Sequence, residues 1–227
     1  MKLKIPAKQI DLKAKISSLK GYIFDLDGTL LDSFGVWNTV DTLFLNKRGF
    51  EVPSDYGREI SAMGFDAAAE YTIKRFGFKE EKEDIIKEWN SIAISLFESE
   101  VKLFDGARDF LLRLKRLDKK LAVATASHSE LLAPCLINNG VYELFDKIVT
   151  VNEVGCGKDS PEIYLSCAEK MGLTPCDCVV FEDVPKAVES ARSAGFKTVG
   201  FLSYGNKSDH AELKRLSDYI IEGYDEL

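Results

Sequence analysis

Short apolar runs punctuate the chain, each rich in β-branched or aromatic residues and each followed by polar turn residues and then a helical pattern. Gly21-Tyr22-Ile23-Phe24 runs into Asp25, Leu121-Ala122-Val123-Ala124 into Thr125, and Cys178-Val179-Val180-Phe181 into Glu182 and Asp183. Lys147–Val151 and Lys197–Phe201 repeat the theme, and Tyr219-Ile220-Ile221 offers a sixth run. Continuously apolar strands of this length suit a parallel sheet covered on both faces. Between them, Asp105–Leu117 places Phe110, Leu111, Leu114 and Leu117 on one helical stripe. Pro161–Met171 opens with proline in a first-turn position, and Pro185–Ala194 is closed by Gly195. Strand–helix alternation with right-handed crossovers predicts a doubly wound, Rossmann-like parallel sheet of the α/β class.

One interval breaks this rhythm. From Asp32 to Phe104 there is no strand pattern; instead Phe34–Lys47 carries Val36, Val40, Leu43 and Phe44 at helical spacing, and amphipathic segments Ala67–Phe76 and Glu80–Phe97 follow. Gly49, Gly64 and Gly77 mark the turns. Residues 34–103 are therefore predicted to form an all-helical second domain, inserted into a core made of residues 1–33 and 104–227.

Charge and cysteine content narrow the function. Across 227 residues, 30 Lys and Arg against 37 Asp and Glu leave a net charge of −7, so there is no global basic field for nucleic acid or an anionic membrane surface. The cysteines (Cys135, Cys156, Cys167, Cys176 and Cys178) are odd in number and scattered, which suits inert thiols in a reducing compartment. Cys176 and Cys178 are too close together, and His128 and His210 too far from any partner spacing, for a zinc site. Met1–Lys20 has no apolar stretch of signal-peptide length, and no run approaches the ~20 residues of a membrane span. A cytoplasmic protein is the expectation; oligomeric state is written in no pattern here.

In an open parallel sheet, ligands bind beyond the carboxyl ends of the strands, at the point where strand order reverses. The residues at those ends are Asp25, Thr125, Lys158 in the loop after the third run, and Glu182 with Asp183. Asp25 and Asp27 are two apart, so both can face one cavity as the strand ends, and Gly28 permits a sharp turn that leaves its amide uncovered. Carboxylates this close cannot all ionise cheaply, so a cation is called for, and an all-oxygen set selects a hard ion such as Mg²⁺. Positive charge from such an ion and from Lys158 would let a carboxylate approach an anionic phosphate, which points to phosphoryl transfer. Taken singly, each residue has a plainer reading. Asp27-Gly28 makes turns, Thr125 and Ser127 cap helices, Lys158 suits a solvated surface, and Glu182-Asp183 before Pro185 starts a helix. Their occurrence in order, at the ends of successive strands, is what carries the chemical reading.

These residues resemble the haloacid dehalogenase (HAD) superfamily of aspartate-nucleophile phosphohydrolases, in the branch of β-phosphoglucomutase and phosphoglycolate phosphatase. The resemblance rests on Phe24-Asp25-Leu26-Asp27-Gly28-Thr29-Leu30-Leu31-Asp32-Ser33, on Ala124-Thr125-Ala126-Ser127, on Gly157-Lys158 with Pro161-Glu162-Ile163-Tyr164, and on Phe181-Glu182-Asp183. It runs from about Gly21 to Phe201. It implies Asp25 as nucleophile and Mg²⁺ ligand, and Asp27 as general acid and base with its backbone carbonyl on the metal. Gly28, Thr125, the amide of Ala126 and Lys158 would hold phosphate, and Asp183 with Glu182 would complete the metal shell. The helical insertion would be the cap that closes over the site and excludes water.

Departures from the family pattern bear on substrate. The cap loop reads Ala62-Met63-Gly64-Phe65-Asp66-Ala67-Ala68, small and apolar where the mutases carry an arginine, and Trp37 stands where they carry a histidine. Asp159 replaces a common proline and Ala187 a common glycine, and His128 occupies a position where the mutases often have lysine. Trp37, Met63, Gly64, Phe65 and His128 are candidate substrate contacts; packing within the insertion explains Trp37, Met63 and Phe65 equally well, and a solvent-facing loop position explains His128 better than a substrate contact does. The resulting expectation is a Mg²⁺-dependent phosphatase acting on a small phosphorylated metabolite, a sugar phosphate among the candidates. A β-phosphoglucomutase-like sugar phosphomutase is the alternative. A phospho-accepting receiver module is disfavoured by Asp27 and by the insertion, and a catalytically dead binder by the presence of every charged position that the chemistry needs.

Overall fold

The computed structural model describes residues 15–60, 63, 65–127 and 129–227, with the side chains of Arg58, Phe65 and residues 129–131 excepted. Two compact units emerge: one runs to Ser33 and resumes at Lys102–Leu227, and the other is Phe34–Val101.

The larger unit begins with β1 (Gly21–Phe24) and a two-residue β2 (Leu31–Asp32). After the helical unit come β3 (Lys102–Leu103), Ala107–Arg116 as a helix, β4 (Lys120–Thr125), a helix over Ser129–Asn138, and β5 (Lys147–Thr150). A short helix at Val151–Val154, the helix Glu162–Lys170, β6 (Cys178–Glu182), the helix Pro185–Ser193, β7 (Lys197–Phe201), the helix His210–Leu216 and β8 (Tyr219–Ile221) complete it. The main sheet has the order β5-β4-β1-β6-β7-β8, parallel throughout. Strand order therefore reverses at β1, and the register pairs Phe24 with Val123 on one side and Phe181 on the other. That register brings the ends of β1, β4 and β6 level, and it is what gathers Asp25, Thr125 and Glu182 at one edge.

Alternation along β1 and β6 feeds two cores. Ile23, Cys178 and Val180 pack with Ala122, Ala124, Ile163, Tyr164, Cys167 and Phe196. On the opposite face Tyr22, Phe24 and Phe181 join Phe110 and Tyr224 in an aromatic cluster, with Phe24 stacked on Phe181 at 4.7 Å between ring centroids. Burying several such rings contributes on the order of 1.5–3 kcal/mol each, enough to fix the strand ends that carry the polar site.

Several expectations need correcting. Lys102–Leu103 is a strand, pairing antiparallel with Leu31–Asp32, so strand structure does occur between Asp32 and Phe104. Val151 begins a helix instead of ending a strand, because Thr150 accepts a capping hydrogen bond from the Glu153 amide. Leu117 is exposed, since the helix ends at Arg116.

The second unit consists of α1 (Val36–Asn46), α2 (Tyr56–Ile60), α3 (Phe65–Phe76) and α4 (Lys82–Ser99). Gly35, at φ 91°, supplies the left-handed residue that launches α1. Phe44 meets Trp89 and Phe78, Phe50 meets Phe76, and Tyr56 donates to or accepts from Thr72 at 2.7 Å. Leu43, expected on the buried stripe of α1, is exposed; the buried positions are Val36, Val40, Asp41, Phe44 and Leu45. Among the described residues, no helix is long and apolar enough to cross a membrane.

Candidate active site

Asp25 follows β1 directly, and its amide donates to the carbonyl of Phe181 at 3.0 Å, which prolongs the sheet pairing by one residue. Two residues on, Gly28 takes φ 82° and turns the chain. Its N–H donates to the Leu31 carbonyl at 2.9 Å, so it closes the turn and is not left uncovered as the sequence had suggested. The next residue, Thr29, is fully buried and directs its hydroxyl to Asp183 Oδ1 at 3.4 Å, and its carbonyl accepts from the Tyr224 hydroxyl at 3.0 Å.

Lys158 reaches this group from the loop after the Val151–Val154 helix. Its ammonium is ion-paired with Asp25 Oδ1 and, at 2.6 Å, with Glu182 Oε1. Burial alone would pull this ammonium down, but the Asp25 and Glu182 charges and hydrogen bonds outweigh burial and hold it above the ordinary lysine value. Glu182 is fully buried and completely engaged. Oε1 accepts from Tyr164 at 3.0 Å as well as from Lys158, and Oε2 accepts from the Asp183 and Val184 amides at 3.0 and 3.2 Å. It thus ties the lysine loop to the turn after β6.

Asp25, Glu182 and Asp183 each offer a carboxylate oxygen within 4.8 Å of the others. Burial raises Asp25 well above the carboxylate range, and the neighbouring Glu182, Asp183 and Asp27 charges push it the same way against the opposing pull of Lys158. Asp183 is pushed up to about 7, by burial first and by the Glu182 charge second. One ammonium balances only one of the three carboxylates. A divalent cation with a preference for oxygen would restore the balance, so the donor set fits a hard ion of the Mg²⁺ type.

Asp27 is partly buried and faces a different partner. Ser127 Oγ donates to Asp27 Oδ2, and the Ser127 amide donates to Thr125 Oγ1 at 3.0 Å. Thr125 is fully buried at the end of β4, and Ala126 after it is exposed. The Asp27 side chain stands outside the three-carboxylate cluster. Of the candidate substrate residues, Trp37 and Met63 line a cavity within the helical unit. Gly64 and His128 lie outside the described residues, as does the side chain of Phe65. Sequence reading missed four supporting residues: Ser127 as partner of Asp27, Thr29, Tyr164, and the buried Asn206, whose Nδ2 donates to the carbonyls of Asp183 and Phe201 at 3.0 and 2.9 Å. Thr29, Ser127 and Tyr164 each lie in one of the motifs without a role assigned to them, Tyr164 six residues after Lys158 on the buried face of its helix, whereas Asn206 carried no sequence signal.

A profile of the haloacid dehalogenase-like hydrolases matches residues 22–201. The chain belongs to this family. It is 28% identical over 181 residues to a phosphorylated carbohydrates phosphatase of Thermotoga maritima, covering 80% of this chain and 84% of that one. It is 25% identical over 184 residues to hexitol phosphatase B of Escherichia coli, covering 78% and 81%. Among solved structures, a provisionally assigned β-phosphoglucomutase of Thermotoga maritima superposes with a TM-score of 0.83 at 26% identity, over 92% of this chain and 97% of that one.

Proposed function

We propose that this hydrolase is a Mg²⁺-dependent phosphatase of small phosphomonoesters, working through an aspartyl-phosphate on Asp25. The observation that carries the reading is the pairing of Asp25 with Lys158 beside Glu182 and Asp183 at the strand-order reversal. Bound there, Mg²⁺ would supply charge neutralisation for the phosphoryl oxygens, held by Asp25, Asp183 and the Asp27 carbonyl with Glu182 beside them.

The remaining work falls to the chain's own groups. A carboxylate oxygen of Asp25 attacks phosphorus, and the P–O bond to the leaving alcohol breaks as Asp27 hands that oxygen its proton. Asp27, now ionised, takes a proton from water, whose oxygen attacks the aspartyl-phosphate and returns Asp25 as a carboxylate with release of phosphate. Lys158 and the Thr125 hydroxyl bind the equatorial oxygens while charge spreads over them. Ser127 orients Asp27 through Oδ2, which leaves Oδ1 to exchange the proton.

A sugar phosphomutase is a second reading, favoured by the likeness to the Thermotoga maritima structure. The absence of an arginine from the Ala62–Ala68 segment and the tryptophan at position 37 argue for hydrolysis. The five free thiols fit a cytoplasmic setting. The decisive variant is Asp25→Asn. It should lose release of p-nitrophenol from p-nitrophenyl phosphate while melting at a temperature close to that of the wild type, and substantial residual turnover would overturn the nucleophile assignment. A panel led by phosphorylated sugars and sugar alcohols separates the two readings. Stoichiometric release of phosphate marks the phosphatase, and conversion of β-glucose 1-phosphate that requires a bisphosphate marks the mutase.

A further inference from the structure

The helical unit carries a buried charge that the proposed chemistry does not use. Asp41, on the inner side of α1, is only 7% exposed, and among the described residues no hydrogen bond or ion pair reaches its carboxylate. Leaving an ionised carboxylate buried without a partner costs several kcal/mol, which makes such a group rare outside binding sites. Among the described side chains of the helical unit, these cations pair with other carboxylates: Arg48 with Glu80 and Glu88, Lys47 with Glu88, Arg75 with Asp55, and Lys82 with Asp66 and Glu70. Of the neighbouring polar groups, the Tyr56 hydroxyl is bonded to Thr72.

Asp41 lines a cavity of about 330 Å³, at the small end of the range of ligand pockets, roughly 300–1,000 Å³. Around it stand Trp37, Trp89, Met63 and Ala68, with Asn38 as the other polar side chain among the described residues; Asp41 and Asn38 also border a second cavity, where Thr42 and Ser54 stand. An occupant must therefore bring positive charge or donors for one carboxylate together with apolar surface for two indoles and a thioether. A carbohydrate fits this poorly: with Asp41 and Asn38 as its polar partners, most of its hydroxyls would stay unpaired, at about 1–3 kcal/mol each. A hydrated metal ion would find a single carboxylate and an apolar wall. An alkylated ammonium is satisfied by one counter-ion and electron-rich aromatic surface.

We propose that this cavity is a binding site for a small organic ammonium ion, with the Asp41 carboxylate as its counter-ion and the Trp37 and Trp89 indoles as its lining. The inference concerns side chains of the helical unit alone and does not rest on the phosphatase reading. Trp37 and Trp89 are the only tryptophans in the chain, so intrinsic tryptophan fluorescence reports directly on the cavity.

Titration of the full chain with choline should give a saturable change in that fluorescence in the millimolar range or below. The uncharged isostere 3,3-dimethylbutanol should bind at least about tenfold more weakly, as should choline to Asp41→Asn, tenfold being 1.4 kcal/mol. Choline binding to Asp25→Asn should match the wild type, which separates this site from the phosphate chemistry. The absence of a saturable change, equal binding of the neutral isostere, full affinity in Asp41→Asn, or glucose binding more tightly than choline would each overturn the proposal. The comparison of choline with its isostere uses only the wild-type protein, so it stands even where the Asp41 variant fails to fold.

Discussion

At the scale of single residues, the proposed mechanism separates groups that react from groups that aim them. Ser127 belongs to the second kind, because its hydroxyl holds Asp27 Oδ2. Ser127→Ala should lower kcat by about tenfold or more with KM little changed, since proton transfer depends on orientation. Ser127→Thr, which keeps the hydroxyl, should recover most of that loss, and steady-state kinetics on p-nitrophenyl phosphate decides the matter. A different single-residue effect governs stability. Burial pushes Asp41 up to about 6, against about 3.8 for the free side chain, so the folded state binds its proton more tightly than the unfolded chain does. Its contribution is therefore most favourable below pH 4, falls as pH rises towards 6, and is flat above that. Asp41→Asn should remove this slope and raise neutral-pH stability by about 1–2 kcal/mol after allowance for solvent screening. Urea unfolding at pH 5 and pH 7.5 measures it, and no gain at the higher pH would show that the carboxylate is not destabilising. A buried carboxylate that costs stability and, among the described residues, takes no hydrogen bond or ion pair is what a ligand-binding group looks like.

At the scale of elements, one junction supports the carboxylate cluster and another holds the helical unit together. The turn after β6 depends on Asn206, whose amide bonds the Asp183 and Phe201 carbonyls, with His210 Nε2 2.9 Å from Asn206 Oδ1. Asn206→Ala should raise the Mg²⁺ concentration giving half-maximal activity by about 10–100-fold and leave kcat at saturating Mg²⁺ nearly unchanged. Equal loss at every Mg²⁺ concentration would assign Asn206 to the general fold instead. In the helical unit, Arg48 joins the end of α1 to Glu80 and to Glu88 of α4, with its guanidinium 3.8 Å above the centre of the Phe44 ring. Arg48→Ala should cost about 1–3 kcal/mol in urea unfolding, and Arg48→Lys should recover only part of it because the bidentate fork and the stacking are lost. Strands were legible in the sequence because a buried parallel sheet demands unbroken apolar runs, as at Cys178–Phe181. The helix Ser129–Asn138 was not, because Pro134 inside it reads as a breaker. β2 and β3, at two residues each, are too short for any periodicity to register.

At the scale of the whole molecule, the candidate residues were legible because they close successive strands of one sheet, and register then brings them together. The supporting groups were not, since Asn206 and Ser127 reach Asp183 and Asp27 across 23 and 100 residues of chain respectively, and no local pattern encodes that distance. The cost of gathering Asp25, Glu182 and Asp183 around a single lysine is borne by the entire fold. With Asp183 held near 7, the protein without metal should lose stability as pH rises from about 4 to 7, because its folded state keeps the proton that the unfolded chain releases. Asp183→Asn removes one of the crowded charges, so in EDTA at pH 7.5 this variant should melt above the wild type. Mg²⁺ should reverse the order. A ligand bound only by the folded state stabilises it by about 2.7 kcal/mol at a hundred times its Kd, and the wild type should collect that gain while the variant, lacking one of the proposed metal carboxylates, collects little. Thermal melts of both proteins with EDTA and with saturating Mg²⁺ provide the four values required. Parallel shifts of the two proteins on adding Mg²⁺ would mean that the ion binds elsewhere, and a variant less stable in EDTA would mean that Asp183 serves the fold more than the site.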